Sequence, residues 1–252
     1  MALGARSGLA ALALAALPAV ASATYPDPYL AHEGGPITGE PTFTVSGGLA
    51  AFTTSHTPAI ECEATTAHGR FTNEETGVIR FHFTGCETIF ELPCTSAGEE
   101  TGDITTTELP FHLKTVDDGD KQTPGVLITP GDEKVKHDPE GPEETHFASF
   151  SCPFVGEVVV GGPSEGDPAT GIVGTITDPE KGDPKNTATL SFESAAAGTQ
   201  KHRTVTNDSE ETTEYDLRAS IGGSETTTAA QDGEGVLKFA DGTEPEILTT
   251  EE

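Results

Sequence analysis

The chain has 252 residues, and 13 Lys and Arg against 42 Asp and Glu give it a formal net charge of −29. Nucleic acids and anionic membrane surfaces are bound through basic faces, so this charge argues against both as partners. Only 34 % of the residues are hydrophobic, Trp is absent, and 29 Gly and 18 Pro accompany 12 Phe. Thr, Phe and Val favour strands whereas Gly and Pro favour turns, so the composition predicts an all-β protein.

The first 23 residues form a predicted secretory signal helix. Arg6 precedes an apolar run from Leu9 to Val20, and Ala21-Ser22-Ala23 is a small-residue cleavage site. The run is too short to span a bilayer and no second apolar segment follows it, so we expect a secreted mature chain without a membrane span. Secretion places the four cysteines in an oxidising compartment, where disulfides form and persist.

The rest of the chain is predicted to be an extended lead-in followed by strands. Residues 24–41 are rich in Pro and Gly and show no periodicity, whereas short alternating segments recur between turn signals from residue 42 onward. This pattern predicts a single domain over residues 42–252, built as an antiparallel β-sandwich or barrel. The last segments, within 212–252, either complete this domain or form a small appended sheet.

The first two cysteines lie in a predicted hairpin. Val78–Cys86 is the clearest strand, and the polar turn Asn73–Gly77 separates it from the preceding run, which carries Cys62. Folding this hairpin about residue 74 places position 62 opposite position 86, which predicts a Cys62–Cys86 disulfide and leaves Cys94 for Cys152. The other two connectivities of four cysteines stay open. Each bridge would stabilise the fold by roughly 3–4 kcal/mol.

The middle of the chain carries a recurring pattern around its cysteines. Its parts are Phe83-Thr84-Gly85-Cys86, Pro93-Cys94-Thr95-Ser96-Ala97-Gly98, Gly102-Asp103-Ile104 and Phe150-Ser151-Cys152. Over roughly residues 60–200, the chain resembles a family of secreted, cysteine-containing β proteins that has many paralogues in high-GC Gram-positive bacteria and no assigned activity. The resemblance implies a secreted cysteine-bearing β protein, and it supplies no catalytic or binding residues.

Acidic turns offer the candidate metal ligands. Asp117, Asp118 and Asp120 could supply carboxylate oxygens to Ca²⁺, as could the acids of the charged loop 131–145. Calcium needs several oxygens around one centre, and neither cluster has the spacing of an EF-hand loop. A run of charges is more often a solvated loop, so calcium is the weaker interpretation, and no other cofactor is expected.

Two further patterns offer a candidate catalytic serine and a candidate zinc site. Gly162-Pro163-Ser164-Glu165-Gly166 matches the G-x-S-x-G string of hydrolases, but loop residues follow it where that motif needs a helix. His82 and His112 occupy equivalent places in two predicted strands and could bind zinc together if those strands are neighbours. A surface turn and two solvated histidines are the simpler interpretations.

These observations favour a secreted, non-catalytic β protein that binds an extracellular ligand or cell-wall material. A rigid β scaffold with long acidic loops suits recognition. Two alternatives stay open: a calcium-dependent surface module that uses the acidic loops, and a secreted hydrolase built on Ser164 or on scattered acids. No residue pattern specifies the ligand.

Overall fold

A computed structural model describes most of the chain after the predicted signal segment. The described residues are 28–32, 35–36, 39–118, 121–131, 134–135, 144–161, 169–177, 187–196, 198–207, 211–223, 226–240 and 246–248. Residues 1–23, predicted to be the signal helix, lie outside them. All regular elements in the described part are β-strands, which confirms the predicted all-β class.

The strands are numbered in chain order. The first eleven are β1 Tyr29–His32, β2 Gly35–Pro36, β3 Thr42–Thr54, β4 Ile60–Cys62, β5 Ala64–Phe71, β6 Thr76–Thr84, β7 Glu87–Thr88, β8 Ile104–Thr105, β9 Leu109–Asp118, β10 Lys121–Ile128 and β11 Lys134–Val135. The others are β12 Glu144–Cys152, β13 Gly156–Gly161, β14 Ala169–Thr170, β15 Ile172–Thr177, β16 Thr187–Phe192, β17 Ser194–Ala196, β18 Thr199–Gln200, β19 Thr204–Thr206, β20 Thr212–Ile221, β21 Thr227–Phe239 and β22 Glu246–Leu248.

Eight of these strands close into an antiparallel barrel. Going round it, the order is β9, β10, β15, β16, β21, β3, β5 and β6, and β6 pairs again with β9. Of the two predicted architectures the chain therefore adopts the barrel. Alternation of apolar and polar residues along the strands explains the closure, because every strand buries one face against the common interior.

A second arc of strands joins the barrel at one end, where β21 begins, and we call this end the upper half. β21 pairs with β16 through Gly233–Lys238 but with β20 through Thr227–Ala229. From β20 the arc continues through β13 to β12 and returns to β6 through Thr106, which pairs with Ala148 and donates its N–H to the Phe81 carbonyl. We call β12, β13 and residues 217–221 of β20 the roof.

The lead-in contributes strands that the sequence pattern does not reveal. β1 pairs with β2 and with β22 to form a separate three-stranded sheet. Leu30 of β1 is fully buried, and its N–H donates to the Glu74 carbonyl in the β5–β6 turn at 2.7 Å. Among the described residues of 212–252, β20 and β21 pair with roof and barrel strands, and β22 joins the three-stranded sheet.

Large side chains fill most of the lower half of the barrel, where a space of about 20 Å³ remains among them. The rings of Phe43, Phe71 and Phe111 lie 5.0–5.8 Å apart between centroids, and Phe239 packs 6.1 Å from both Phe43 and Phe71. All four are buried. The tilted and edge-to-face contacts among them are those that aromatic quadrupoles favour.

Both predicted disulfides are present and brace the upper half. β5 and β6 pair in the predicted register, with Ala64 opposite Thr84. Cys62 and Cys86 extend that register and are bonded, and Cys94 is bonded to Cys152 at the end of β12. The two disulfides are consistent with an extracellular or otherwise oxidising compartment.

Candidate functional site

An apolar cavity of about 80 Å³ lies inside the upper half of the barrel, beneath the roof. Its walls come from barrel strands and roof strands alike. The lining residues are Val45, Ala50, Phe52, Ile60, Cys62, Thr65, Phe81, Phe83, Ile104, Thr106, Leu109, Ile128, Phe147, Ala148, Phe150, Val160, Ile172, Leu190, Phe192, Leu217, Gln231, Gly233, Glu234 and Gly235. A water needs about 10–15 Å³, so this space is several times larger than one water requires, and it is about half as large as an engineered cavity of about 150 Å³ that admits benzene.

Small residues on one wall explain why the upper half is hollow. In the lower half β3 and β21 place Phe43 opposite Phe239 and Val45 opposite Leu237. Further up, the inward pairs become Gly47 with Gly235 and Ala50 with Gly233, on either side of a bulge. The change from Phe and Leu to Gly and Ala removes the side chains that would otherwise fill the interior.

The two glycines at this bulge lie close to different kinds of atom. A Cβ atom on Gly47 would lie 2.4 Å from the Glu234 carbonyl oxygen, so a side chain there would push β3 and β21 apart. A Cβ atom on Gly235 would lie 2.5 Å from Cγ1 of the Val45 side chain, so a substitution there would displace that side chain. The close approach of the β3 and β21 backbones therefore explains the absence of a side chain at position 47.

Much of the remaining cavity wall is aromatic. Six of the 12 phenylalanines line it, namely Phe52, Phe81, Phe83, Phe147, Phe150 and Phe192. Phe81 stacks on Phe83 at 5.9 Å and meets Phe192 edge-on at 6.3 Å, while Phe52 meets Phe150 edge-on at 6.2 Å. Ring faces and edges exposed to an empty space favour an apolar or aromatic guest.

Two threonines on the cavity wall differ in their hydrogen bonding. Thr106 Oγ1 accepts from the Phe81 N–H and donates to the Thr107 carbonyl, both at 2.9 Å. Thr65 Oγ1 is buried, and none of the described residues forms a hydrogen bond with it. A buried hydroxyl left unpaired costs roughly 1–3 kcal/mol, so Thr65 is the unusual group of this site.

Charge is scarce around the cavity. Among the lining residues Glu234 is the one that carries a charge, and its side chain belongs to an exposed residue at the β21 bulge. None of the lining residues is Lys, Arg or His. The site therefore offers no cation to an anionic ligand, within a protein whose net charge is already −29.

The candidate calcium ligands do not form a site in the described residues. Asp117 and Asp118 lie at the end of β9, and Asp120 lies outside the described part of the chain. Asp117 accepts hydrogen bonds of 3.4 Å from Gln122 and Thr206. In the part of the chain that the structure describes, no group of three His, Cys, Asp or Glu side chains could hold a metal ion. Most of loop 131–145 lies outside that part.

The histidine pair proposed as a zinc site is separated by the strand register. β6 and β9 are neighbours, but Thr76 lies opposite His112 and Ile79 lies opposite Leu109. His82 is six residues further along β6, which places it about 20 Å from that level at roughly 3.3 Å per residue. Its Nε2 instead lies 3.2 Å from Asp103 Oδ2.

The hydrolase string falls outside the described residues, which omit 162–168 and hence Ser164. A different Ser–His contact exists at the surface. Ser55 Oγ lies 2.8 Å from His56 Nδ1, and both atoms contact Thr227 Oγ1. These side chains are exposed, and none of the three residues lines the cavity.

Two turns beside the second disulfide expose large apolar side chains. Ile89 and Phe90 lie in one turn and are 60 % and 70 % exposed, and Phe154 lies in the β12–β13 turn and is 97 % exposed. The turns are joined by the Cys94–Cys152 bond and by pairing of Thr95 with Ser151. Phe154 also has a left-handed backbone, with φ of 63°.

The cavity was not predicted from the sequence, although part of its signal is present in the chain. Small residues replace large ones at inward positions of β3, and Thr65 has the same parity as the buried Ala67 and Phe71. Among the described residues, no helix is long and apolar enough to cross a membrane. Searches with protein-family models, with curated proteins and with solved structures found no match.

Proposed function

We propose that the protein is a secreted, non-catalytic binding protein that holds a small apolar molecule inside its barrel. The apolar cavity beneath the roof is the observation that carries this proposal. Closed eight-stranded barrels are wide enough to be filled by side chains or to hold one small ligand. Here the lower half is filled by phenylalanines, and the upper half is left open by glycine and alanine.

The lining chemistry supports binding without catalysis. Small-ligand sites are concave and mostly apolar, with a few polar groups that fix orientation. The cavity fits this description, with aromatic and aliphatic walls and Thr65, Thr106 and Gln231 as its neutral polar side chains. No nucleophile with an adjacent base lies among the lining residues, and the surface contact of Ser55 with His56 is remote from them.

Extracellular location is part of the proposal and has two supports. The first is the leader pattern of residues 1–23, with its apolar run and small-residue cleavage site. The second is the pair of disulfides, which persist in oxidising compartments.

Amino-terminal sequencing tests this part of the proposal. Protein exported from an expressing bacterial host should have Thr24 as its first residue. Retention of the leader on cell-associated protein would contradict this part of the proposal.

Thermal unfolding with toluene tests the ligand class. Toluene at ten times its Kd should raise the unfolding free energy by about 1.4 kcal/mol, because it binds the folded state alone. For a domain of this size that corresponds to a rise in Tm of roughly 3–5 °C. The Ala50→Leu variant should abolish this rise, since the added carbons occupy the cavity, and it should stabilise the ligand-free protein by about 1–2 kcal/mol.

Two further variants serve as a control and as a substitute for Ala50→Leu. Ala51 is the neighbour of Ala50 on the outward face of β3, so Ala51→Leu should leave the toluene effect unchanged. Ala148→Val narrows the cavity from the roof and serves if leucine at position 50 prevents folding. The proposal is overturned if toluene does not stabilise the wild-type protein, or if folded Ala50→Leu and Ala148→Val variants respond as the wild type does.

A further inference from the structure

We infer that the ligand is a neutral apolar molecule with one hydroxyl or carbonyl group, and that the Thr65 hydroxyl is the hydrogen-bonding anchor for that group. This inference rests on the proposed function and narrows its ligand class. Its basis is the juxtaposition of an apolar cavity with one buried hydroxyl that no described residue satisfies.

Strand geometry directs Thr65 into the cavity. On β5, Ala67 and Phe71 are buried and share parity with Thr65, whereas the intervening Thr66 is exposed. Thr66 donates to the His82 carbonyl on the outer face at 3.4 Å, so the next side chain along the strand points the opposite way. Thr65 pairs with Gly47 on one side and with Phe83 on the other, both at the level of the bulge.

The local backbone does not satisfy the Thr65 hydroxyl. Position 47 has no side chain, and a substituent there would collide with the Glu234 carbonyl, so the partner strand offers no polar group of its own. The other neighbour is the ring of Phe83. Native proteins pair nearly all buried polar groups with other protein groups or with ordered water, so a hydroxyl that faces a cavity without a protein partner is available to the polar group of a ligand.

The remaining lining decides the charge and shape of the ligand. A carboxylate would need a cation or several donors, and none of the lining residues is Lys, Arg or His. The six phenylalanines favour an aromatic guest, and a volume of about 80 Å³ restricts the ligand to the smallest ring compounds, which enter with some movement of the lining side chains. A neutral ring compound with a single hydroxyl or carbonyl meets all of these conditions.

Phenol and toluene form a suitable probe pair, because they differ by a hydroxyl in place of a methyl group. Titration followed by NMR on the full folded chain would give both dissociation constants. In Thr65→Val the affinity for phenol should fall by about 2- to 12-fold, the range that one neutral hydrogen bond contributes. The affinity for toluene should stay the same or rise. Thr65→Ser should retain phenol binding within about twofold of wild type.

Controls separate this inference from the proposed function. Thr66→Val removes a hydroxyl from the outer face of the same strand and should change neither affinity. Benzoate should bind more weakly than phenol. If toluene does not bind the wild type, the proposed function fails. If toluene binds but Thr65→Val weakens phenol no more than it weakens toluene, or if benzoate binds more tightly than phenol, only the present inference fails.

Discussion

A few residues in this protein depart from the usual rules of hydrogen bonding and backbone conformation. Thr65 and Thr106 line the same cavity, yet the hydroxyl of Thr106 is used twice by the backbone and that of Thr65 is unpaired among the described residues. The difference arises from register, because Thr106 lies beside the Phe81 amide whereas Thr65 lies between a glycine and a phenylalanine. The backbone groups beside each hydroxyl thus distinguish Thr106, a structural threonine, from Thr65, a candidate binding residue.

Backbone strain is the second departure at this scale. Glu91 and Phe154 are the non-glycine residues with positive φ in the described part of the chain, at 57° and 63°. Both lie in the turns that flank the Cys94–Cys152 disulfide. Left-handed backbone costs roughly 1–2 kcal/mol for most side chains, so these turns are held in place by the bridge and the pairing beside it.

Phe154→Asn should stabilise the protein by about 0.5–1 kcal/mol, because asparagine tolerates the left-handed region and the Phe154 ring is almost fully exposed. Urea unfolding measures the change. The same exchange at Phe90, which is exposed but lacks a positive φ, should change the unfolding free energy by less than about 0.5 kcal/mol. Equal effects at the two positions would mean that side-chain exposure, and not backbone strain, is responsible.

Among the elements, the β3–β21 pair determines the interior. Its lower part carries Phe43, Val45, Leu237 and Phe239, whereas the positions around the bulge carry glycines and Ala50, and Phe52 is the next inward residue of β3. At the bulge two residues of β3 lie opposite one residue of β21, an arrangement that interrupts regular pairing. One ladder therefore builds both the packed half and the hollow half of the barrel.

Adjacent glycines on β3 give a matched test of this element. Gly47→Ala should destabilise the protein by about 2 kcal/mol or more, since its Cβ would lie 2.4 Å from a backbone oxygen that cannot move independently. Gly48→Ala should be neutral or stabilise by up to about 1 kcal/mol, because nothing lies within 4 Å of its Cβ. Chemical denaturation of both variants checks this, and equal losses would contradict the close approach of β3 and β21.

In the whole molecule, the net charge destabilises the folded state, whereas the closed barrel and the disulfides stabilise it. A net charge of −29 repels itself in the compact state, while the closed barrel and two bridges hold that state together. Many of the acids lie on exposed strand positions and loops, where salt screens them. Stability should therefore depend on ionic strength more than on any particular ion.

Raising NaCl from 10 mM to 0.5 M should increase Tm by several degrees, because the Debye length falls from about 30 Å to below 8 Å. CaCl₂ and MgCl₂ at equal concentration should raise Tm by the same amount within about 1 °C. A larger effect of calcium would support the calcium-dependent module considered from Asp117, Asp118 and Asp120. Absence of any salt effect would contradict self-repulsion as a destabilising force.

Local patterns along the chain were sufficient for much of the architecture. Alternation predicted β6 and the inward face of Ile79, Phe81 and Phe83, and the turn at residues 73–77 set the register that joins Cys62 to Cys86. These inferences succeed because a hairpin is specified by neighbouring residues. The strands of the lead-in were missed, because β1 and β2 pair with each other and with distant β22 and have no periodicity of their own.

Side-chain parity, hairpin register and net charge are local or additive properties, so they were enough to predict an acidic chain of alternating strands with a Cys62–Cys86 disulfide. Contacts between distant segments were needed to show that the strands close into a barrel, that His82 and His112 lie at different levels, and that a cavity remains beneath the roof. An empty volume belongs to no residue. It depends on the distance between walls contributed by strands far apart in the chain, which composition and periodicity do not encode.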